Sequence, residues 1–308
     1  AGRTGPPYWH ASASVHITDE MVKSLSENLE AFSVVCAENF QAALDRYVAR
    51  SSAPVLVALY ELAPEWAHQP ILVGICGSDA HGTKLPPDDP HATDDLDVFA
   101  VVRQSPEFYL GVSALGHGHQ DFNATGQAID ITGHDVRKFI GLLGKGNPNV
   151  HSWLWSPEIL WATEAGELLV AARERVMSKR MFPALIGYAT AQLKKMLSGK
   201  HQGYMGAKRK ELLAQYGYDI KDASHCIRLL HVGIHLARTG ELMVRLAPEV
   251  AETVKAIKGG KWTVRQVERE ADRLFAEFRA AEPLSQLRDE VPLAELDALC
   301  VAAIEAGS

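Results

Sequence analysis

The chain has 308 residues, 47% of them hydrophobic and 22% charged, and carries a net charge of −7. This is ordinary globular composition with enough length for two cores, and it excludes a disordered or fibrous chain. No apolar run reaches membrane-spanning length and the first residues show no basic region followed by an apolar one, so a cytoplasmic protein with no membrane partner is expected.

Residues 1–15 are small, polar and proline-bearing and read as an arm, after which Thr18, Asp19 and Glu20 cap a helix running to about Arg50. Pro54 to Leu62 reads as a strand or short buried segment. The apolar run Ile71, Leu72, Val73, Gly74 and Ile75 reads as a short buried strand halted by glycine. Gly77 and Ser78 follow at its end. They offer backbone N–H groups and a hydroxyl on a chain tight enough to meet a polyphosphate closely.

Residues 95–102 form the next strand. Side chains alternate along it, so Asp95 and Asp97 share one face while Leu96, Val98, Ala100 and Val102 take the other, and Asp94 falls on the wrong face to join the pair. Two carboxylates so close repel each other unless a divalent cation lies between them, and their hard oxygens suit Mg2+ or Mn2+. A phosphoryl-transfer site with two ions roughly 3.5–4 Å apart wants a third carboxylate. Asp130, alone among apolar residues in another short strand, supplies it, since an acid there is costly to bury without a partner. Read singly, the acids from Asp88 to Asp95 make a solvated loop and Asp130 a structural residue. The turn, the acid pair and the distant acid in this order point to metal-dependent nucleotidyl transfer. An EF-hand is excluded, because the central glycine and closing glutamate are missing. His117, His119 and His134 lack metal-site spacing and nearby cysteines, and their segment reads as a mobile glycine-rich loop. Cys36, Cys76, Cys226 and Cys300 form no Cys-x-x-Cys pair, so neither a zinc ribbon nor a disulfide framework is indicated and the thiols are expected reduced.

Asn147 and Pro148 start a helix, while Lys145 beside them sits in a glycine-flanked turn where it contacts phosphate or merely precedes that helix. Beyond Pro148 the strand signals stop and helical periodicity takes over near 163–176, 182–199, 204–216, 218–239 and 263–282. In the last segment Val264, Val267, Ala271, Leu274 and Phe278 recur at core-packing spacing. The expected fold is α+β, with a catalytic domain over 1–160 built on a small mixed sheet and an all-helical domain over 161–308.

Charge divides at the same place. Residues 1–160 hold 9 basic and 19 acidic residues, for −10, and 161–308 hold 22 and 19, for +3. From Arg175 to Lys210 there are nine basic residues and no acid, a candidate track for a phosphate backbone or a solvated helix face. Lys221, His225 and Arg228 lie at i, i+4 and i+7 on one helix face.

Gly77, Ser78, Asp95, Asp97 and Asp130 together resemble the DNA polymerase β-like nucleotidyltransferase superfamily. The stretches from Asp135 to Asn149 and from Gly217 to Leu230 resemble its branch of bacterial and phage nucleotidyltransferases linked to RNA repair, over about Ile71 to Val267. The chain departs from that branch at His81, where an aromatic residue is usual, and in its Pro- and His-rich 85–92 loop. The resemblance implies a polymerase β-like domain and transfer of an NMP from an NTP to a hydroxyl, with release of pyrophosphate. On it Asp95, Asp97 and Asp130 would hold two Mg2+ or Mn2+ ions, and Gly77, Ser78, Lys145, Lys221, His225 and Arg228 would bind the nucleotide. The implied acceptor is an RNA terminus, tRNA-like. A small-molecule or protein hydroxyl is the alternative acceptor, and a nucleotide- or RNA-binding protein without turnover is the alternative class.

Overall fold

The computed structural model describes residues 55–306, apart from 56–57, 60, 63–69, 94, 105, 112–120, 126–128 and 199–206. The arm over 1–15, the helix expected up to Arg50, Asp94 and the His117/His119 pair lie outside the described residues.

The architecture is α+β with a five-stranded mixed sheet. Its strands are β1 (Pro70–Ile75), β2 (Leu96–Val102), β3 (Asp121–Thr125), β4 (Ile129–Asp135) and β5 (Ile159–Ala162), in the order β3-β4-β2-β1-β5. Only β2 and β4 run parallel; the other neighbours are antiparallel. β2 is buried on both faces, as its run of Val, Phe and Ala demands. Val98, Ala100 and Val102 pack with Val73, Ile75 and Ile131 on one side, where Val55 and Leu59 cover them. Phe99 and Val101 face the other side. The described residues between 55 and 62 are helical, not extended, and Val55 and Leu59 are buried.

Helices α1 (Gly77–His81), α2 (Pro106–Leu110), α3 (Val136–Gly144), α4 (Pro148–Leu154) and α5 (Glu164–Ala171) belong to the sheet-bearing half of the chain. Asp135 caps α3, accepting from the amides of Arg137 and Lys138. Asn147 caps α4 in the same way through Asn149 and Val150, with Pro148 in the first helical position. These caps aim α3 and α4 at the second face of the sheet, where Trp153 stacks 5.1 Å from Phe99 and 5.8 Å from Phe139.

The later helices are α6 (Met181–Ser198), α7 (Ala207–Tyr216), α8 (Ile220–Thr239), α9 (Pro248–Lys258), α10 (Val264–Ala281) and α11 (Leu293–Glu305). Thr263 closes a capping box with Gln266 at the start of α10, and Val267, Ala271, Leu274 and Phe278 are buried in the helical core, where α10 packs against α6 and α8. Two elements depart from the sequence expectation. β5 lies past Pro148, where no strand is expected, because four residues at a sheet edge carry too little period to register. α11 returns to the sheet-bearing half, with Leu296 and Ala303 beside Phe139 and Leu169. No helix among the described residues is long and apolar enough to cross a membrane.

α1 is the joint between the two cores. Its Ala80 packs into the helical cluster. His81 donates through Nδ1 to the Val244 carbonyl at 3.0 Å, and its own carbonyl accepts from the Leu246 amide at 3.2 Å. The turn after β1 is thereby held against α8 and the segment leading to α9, and a cleft opens between them.

Candidate active site

The carboxylates come together through strand register. Asp97 lies directly opposite Asp130 in the parallel β2–β4 pair, and Asp95 precedes Asp97 by one full strand repeat. One oxygen from each of the three lies within 4.8 Å of the others, and all three side chains are half-buried. Burial raises the Asp97 carboxyl above its ordinary value, and the charges of Asp95, Asp130 and Asp79 raise it further, against the opposing pull of Lys221. The site therefore disfavours its own negative charge. An all-oxygen donor set with this deficit fits a hard divalent cation such as Mg2+ or Mn2+.

Gly77 stands against this cluster. Its φ is +63°, and a β carbon there would fall 1.8 Å from Asp97 Oδ2. The Cys76 amide donates to the Asp97 carbonyl at 2.9 Å, so the turn is stitched to the strand that carries the acid. Burial, aided by Asp97, holds the Cys76 thiol protonated far above its usual range.

A cavity of about 550 Å3 extends from this corner into the cleft. Gly77, Ser78, Asp95 and Asp97 line one side, and Lys221, His225, Arg228 and Lys258 line the other. Arg228 is half-buried and lines the cavity. Its guanidinium has no acid partner among the described residues, and burial pushes its pKa down to about 10. His225 is pushed well below the usual histidine range by burial, then by Arg228 and Lys221. His81 falls to about 3 for the same kinds of reason. Both imidazoles are neutral at pH 7, so the positive charge on this side belongs to Lys221, Arg228 and Lys258.

The cavity thus has the Asp95, Asp97 and Asp130 cluster at one side and Lys221, Arg228 and Lys258 at the other, an arrangement suited to a metal-bound polyphosphate. The sequence profile of the RNA repair pathway DNA polymerase beta family matches residues 52–302, which holds both sides of the cavity. The chain belongs to this RNA repair polymerase β family. Membership makes it a nucleotidyltransferase-type protein. No curated relative matches the chain. Among solved structures, it is similar to a nucleotidyltransferase-like protein from Exiguobacterium sibiricum 255-15, at 10% identity over 74% of each chain with a TM-score of 0.27.

Of the residues singled out in this family member's sequence, Gly77, Ser78, Asp95, Asp97, Lys221, His225 and Arg228 all line the cavity, and Asp130 joins the acid cluster beside it. Lys145 does not line it; it caps the C-terminus of α3 and is exposed. The basic stretch from Arg175 to Lys210 is not one open track. Lys179 pairs with Asp289 at 2.9 Å and Arg180 with Glu290. Arg209 is held by Asp219 at 2.7 Å and Asp222 at 2.8 Å. Acids far along the chain neutralise these cations, which local charge counting does not register.

Sequence reasoning missed Lys84 and Lys258, both of which line the cavity, as does Arg209 from the basic stretch. Lys84 Nζ donates to Asp79 at 3.0 Å and to the Asp95 carbonyl at 3.4 Å, bracing the start of β2 against α1. A lone lysine in a loop or a helix carries no periodic signal, so nothing in the sequence marks Lys84 or Lys258.

Proposed function

We propose that this family member is a Mg2+-dependent nucleotidyltransferase that moves an NMP from an NTP to a hydroxyl of RNA, releasing pyrophosphate. The observation that carries this reading is the convergence of Asp95, Asp97 and Asp130 within 4.8 Å at one side of a cavity whose other side holds Lys221, Arg228 and Lys258. Asp95 and Asp97 would hold two divalent ions, with Asp130 sharing the second. Ions bound there would neutralise the phosphates and stabilise charge developing on the attacking and leaving oxygens.

The chain's own residues do the rest. The backbone of Gly77 and Ser78 and the Ser78 hydroxyl meet the β- and γ-phosphates, with Lys221, His225 and Arg228 on the far side. The acceptor oxygen attacks the α-phosphorus, the bond from that phosphorus to the β-phosphate oxygen breaks, and pyrophosphate leaves. Asp130 takes the acceptor's proton and returns it to solvent. Rate enhancement comes from alignment and charge neutralisation more than from covalent chemistry.

RNA is the proposed acceptor because the matched family is an RNA repair family. A division near residue 160 belongs to the same proposal, with α5 and α11 as the later helices that return to the catalytic half. The free thiols Cys76, Cys226 and Cys300 suit the reducing, cytoplasmic setting we assign to it.

Incubation with each α-labelled NTP, Mg2+ and a mixture of total RNA and lysate tests the reading. Label on RNA that disappears in Asp97→Ala is the expected result. Label only on protein or on a small molecule would move the acceptor to one of those classes, and nucleotide binding without pyrophosphate release would remove the transfer step.

A further inference from the structure

Lys258 ends α9 in the helical half, 175 residues along the chain from the carbonyl to which it donates, that of Thr83, at 3.0 Å. Thr83 follows Gly82, the C-cap of α1, and its amide donates to the Ser78 carbonyl at 2.9 Å, so the bond from Lys258 ties the ammonium to the Gly77–Ser78 turn. Three features show that it is more than a tether. First, it makes no ion pair among the described residues, although Asp79, Asp95 and Asp97 all exert an electrostatic pull on it. Second, it faces the same cavity as Lys221 and Arg228, and it feels the charge of Lys221 directly. Third, partial burial works against its charge, and a half-buried ammonium with one carbonyl partner still has two N–H donors to offer a ligand in the cavity.

Like charges gathered in one half-buried cleft repel and lose hydration, so an apo protein carries them at a cost in stability. An anion with several charged oxygens removes both penalties together. A nucleotide's base and ribose offer no such charge; the phosphate tail does.

We propose that Lys258 is a phosphate-binding residue that, with Lys221 and Arg228, forms a three-cation receptor for the polyphosphate tail, held against the Gly77–Ser78 turn by its bond to Thr83. This deepens the transferase reading and rests on it for the biological ligand. The receptor itself needs only a linear polyphosphate. It takes no role in proton transfer, and no bond is made or broken at it.

Inorganic tripolyphosphate is the probe, titrated calorimetrically into the full chain with Mg2+ present. Lys258→Met keeps the aliphatic stem and removes the charge. It is expected to weaken tripolyphosphate binding roughly tenfold, the size of one charge-assisted contact. Lys258→Arg, still cationic and able to reach Thr83, is expected to restore most of the affinity. Thermal melting of both variants accompanies the titration. Unchanged affinity in a folded Lys258→Met would overturn the proposal. So would equal losses of affinity in Met and Arg variants that both melt early, because Lys258 would then be a tether between the two halves. No tripolyphosphate binding by the wild-type chain would overturn it as well. Binding that depends on Lys258 in a chain that transfers no nucleotide would support the receptor while removing the transferase reading, so the two fail separately.

Discussion

Gly77 and Asp97 are in contact so close that no side chain fits between them: a β carbon on Gly77 would lie 1.8 Å from Asp97 Oδ2, on a residue whose φ is already +63°. The glycine is required twice, once by the backbone and once by the carboxylate it faces. Gly77→Ala is expected to cost about 1–3 kcal/mol of stability from the left-handed backbone alone. Displacement of Asp97 should lower kcat/KM for transfer by roughly a hundredfold or more. Chemical denaturation and single-turnover transfer check the two effects separately; a fully active Gly77→Ala would show that Asp97 tolerates being moved.

Asp97 gives a pH prediction in metal-free protein. Its folded-state pKa is raised, chiefly by burial and then by Asp95. A raised acid contributes stability that is complete below the ordinary aspartate value of about 3.9 and is lost as pH rises through the folded value. Metal-free wild type should therefore lose Tm relative to Asp97→Asn between pH 4 and pH 7. Adding Mg2+ should raise the wild-type Tm and leave Asp97→Asn almost unchanged, while transfer by the variant falls by roughly a hundredfold or more. Equal Mg2+ responses in the two proteins would mean that the ion is held elsewhere.

Arg228 sets binding against stability. Burial alone lowers its pKa to about 10, and no acid among the described residues offsets that. Arg228→Met removes a half-buried cation with no acid partner among the described residues, so the melting temperature should hold or rise. The KM for NTP should increase roughly ten- to hundredfold, the size of a lost charged contact. A variant that melts early with an unchanged KM would make Arg228 a structural residue.

Asp135 is fully buried and does two jobs at the end of β4. It caps α3 through the Arg137 and Lys138 amides and accepts from the Tyr109 hydroxyl at 2.5 Å. Asp135→Ala should cost about 2–3 kcal/mol, combining a lost cap with an unpaired buried hydroxyl. Asp135→Asn, which keeps an acceptor, should recover part of this. The readout is the denaturation midpoint at constant m; equal midpoints for Ala and wild type would contradict the cap.

How much of this was legible depended on the range of the interaction. Strand alternation is local, so Asp95 and Asp97 declared a shared face within three residues, and the start of α4 was readable from Asn147 and Pro148 for the same reason. Periodicity of the apolar residues marked α8 and α10 before any packing was known. β5 was lost because a four-residue edge strand has no period of its own, and the helical state of residues near Val55 and Leu59 was lost because short apolar runs suit either conformation.

By itself the sequence determined the chemistry on offer: a Gly-Ser turn, an acid pair on one strand face, and a cationic helix face at i, i+4 and i+7. Tertiary structure decided which of these residues meet. Parallel register set Asp130 opposite Asp97, packing of α1 into the helical core brought Lys221 and Arg228 across from them, and a bond spanning 175 residues added Lys258. It also left Lys145 exposed outside the cavity lining and paired Lys179, Arg180 and Arg209 with acids the local pattern does not contain. The reason is physical: alternation and helical period act over a few residues, whereas charge and burial depend on whatever the fold brings within a few ångströms.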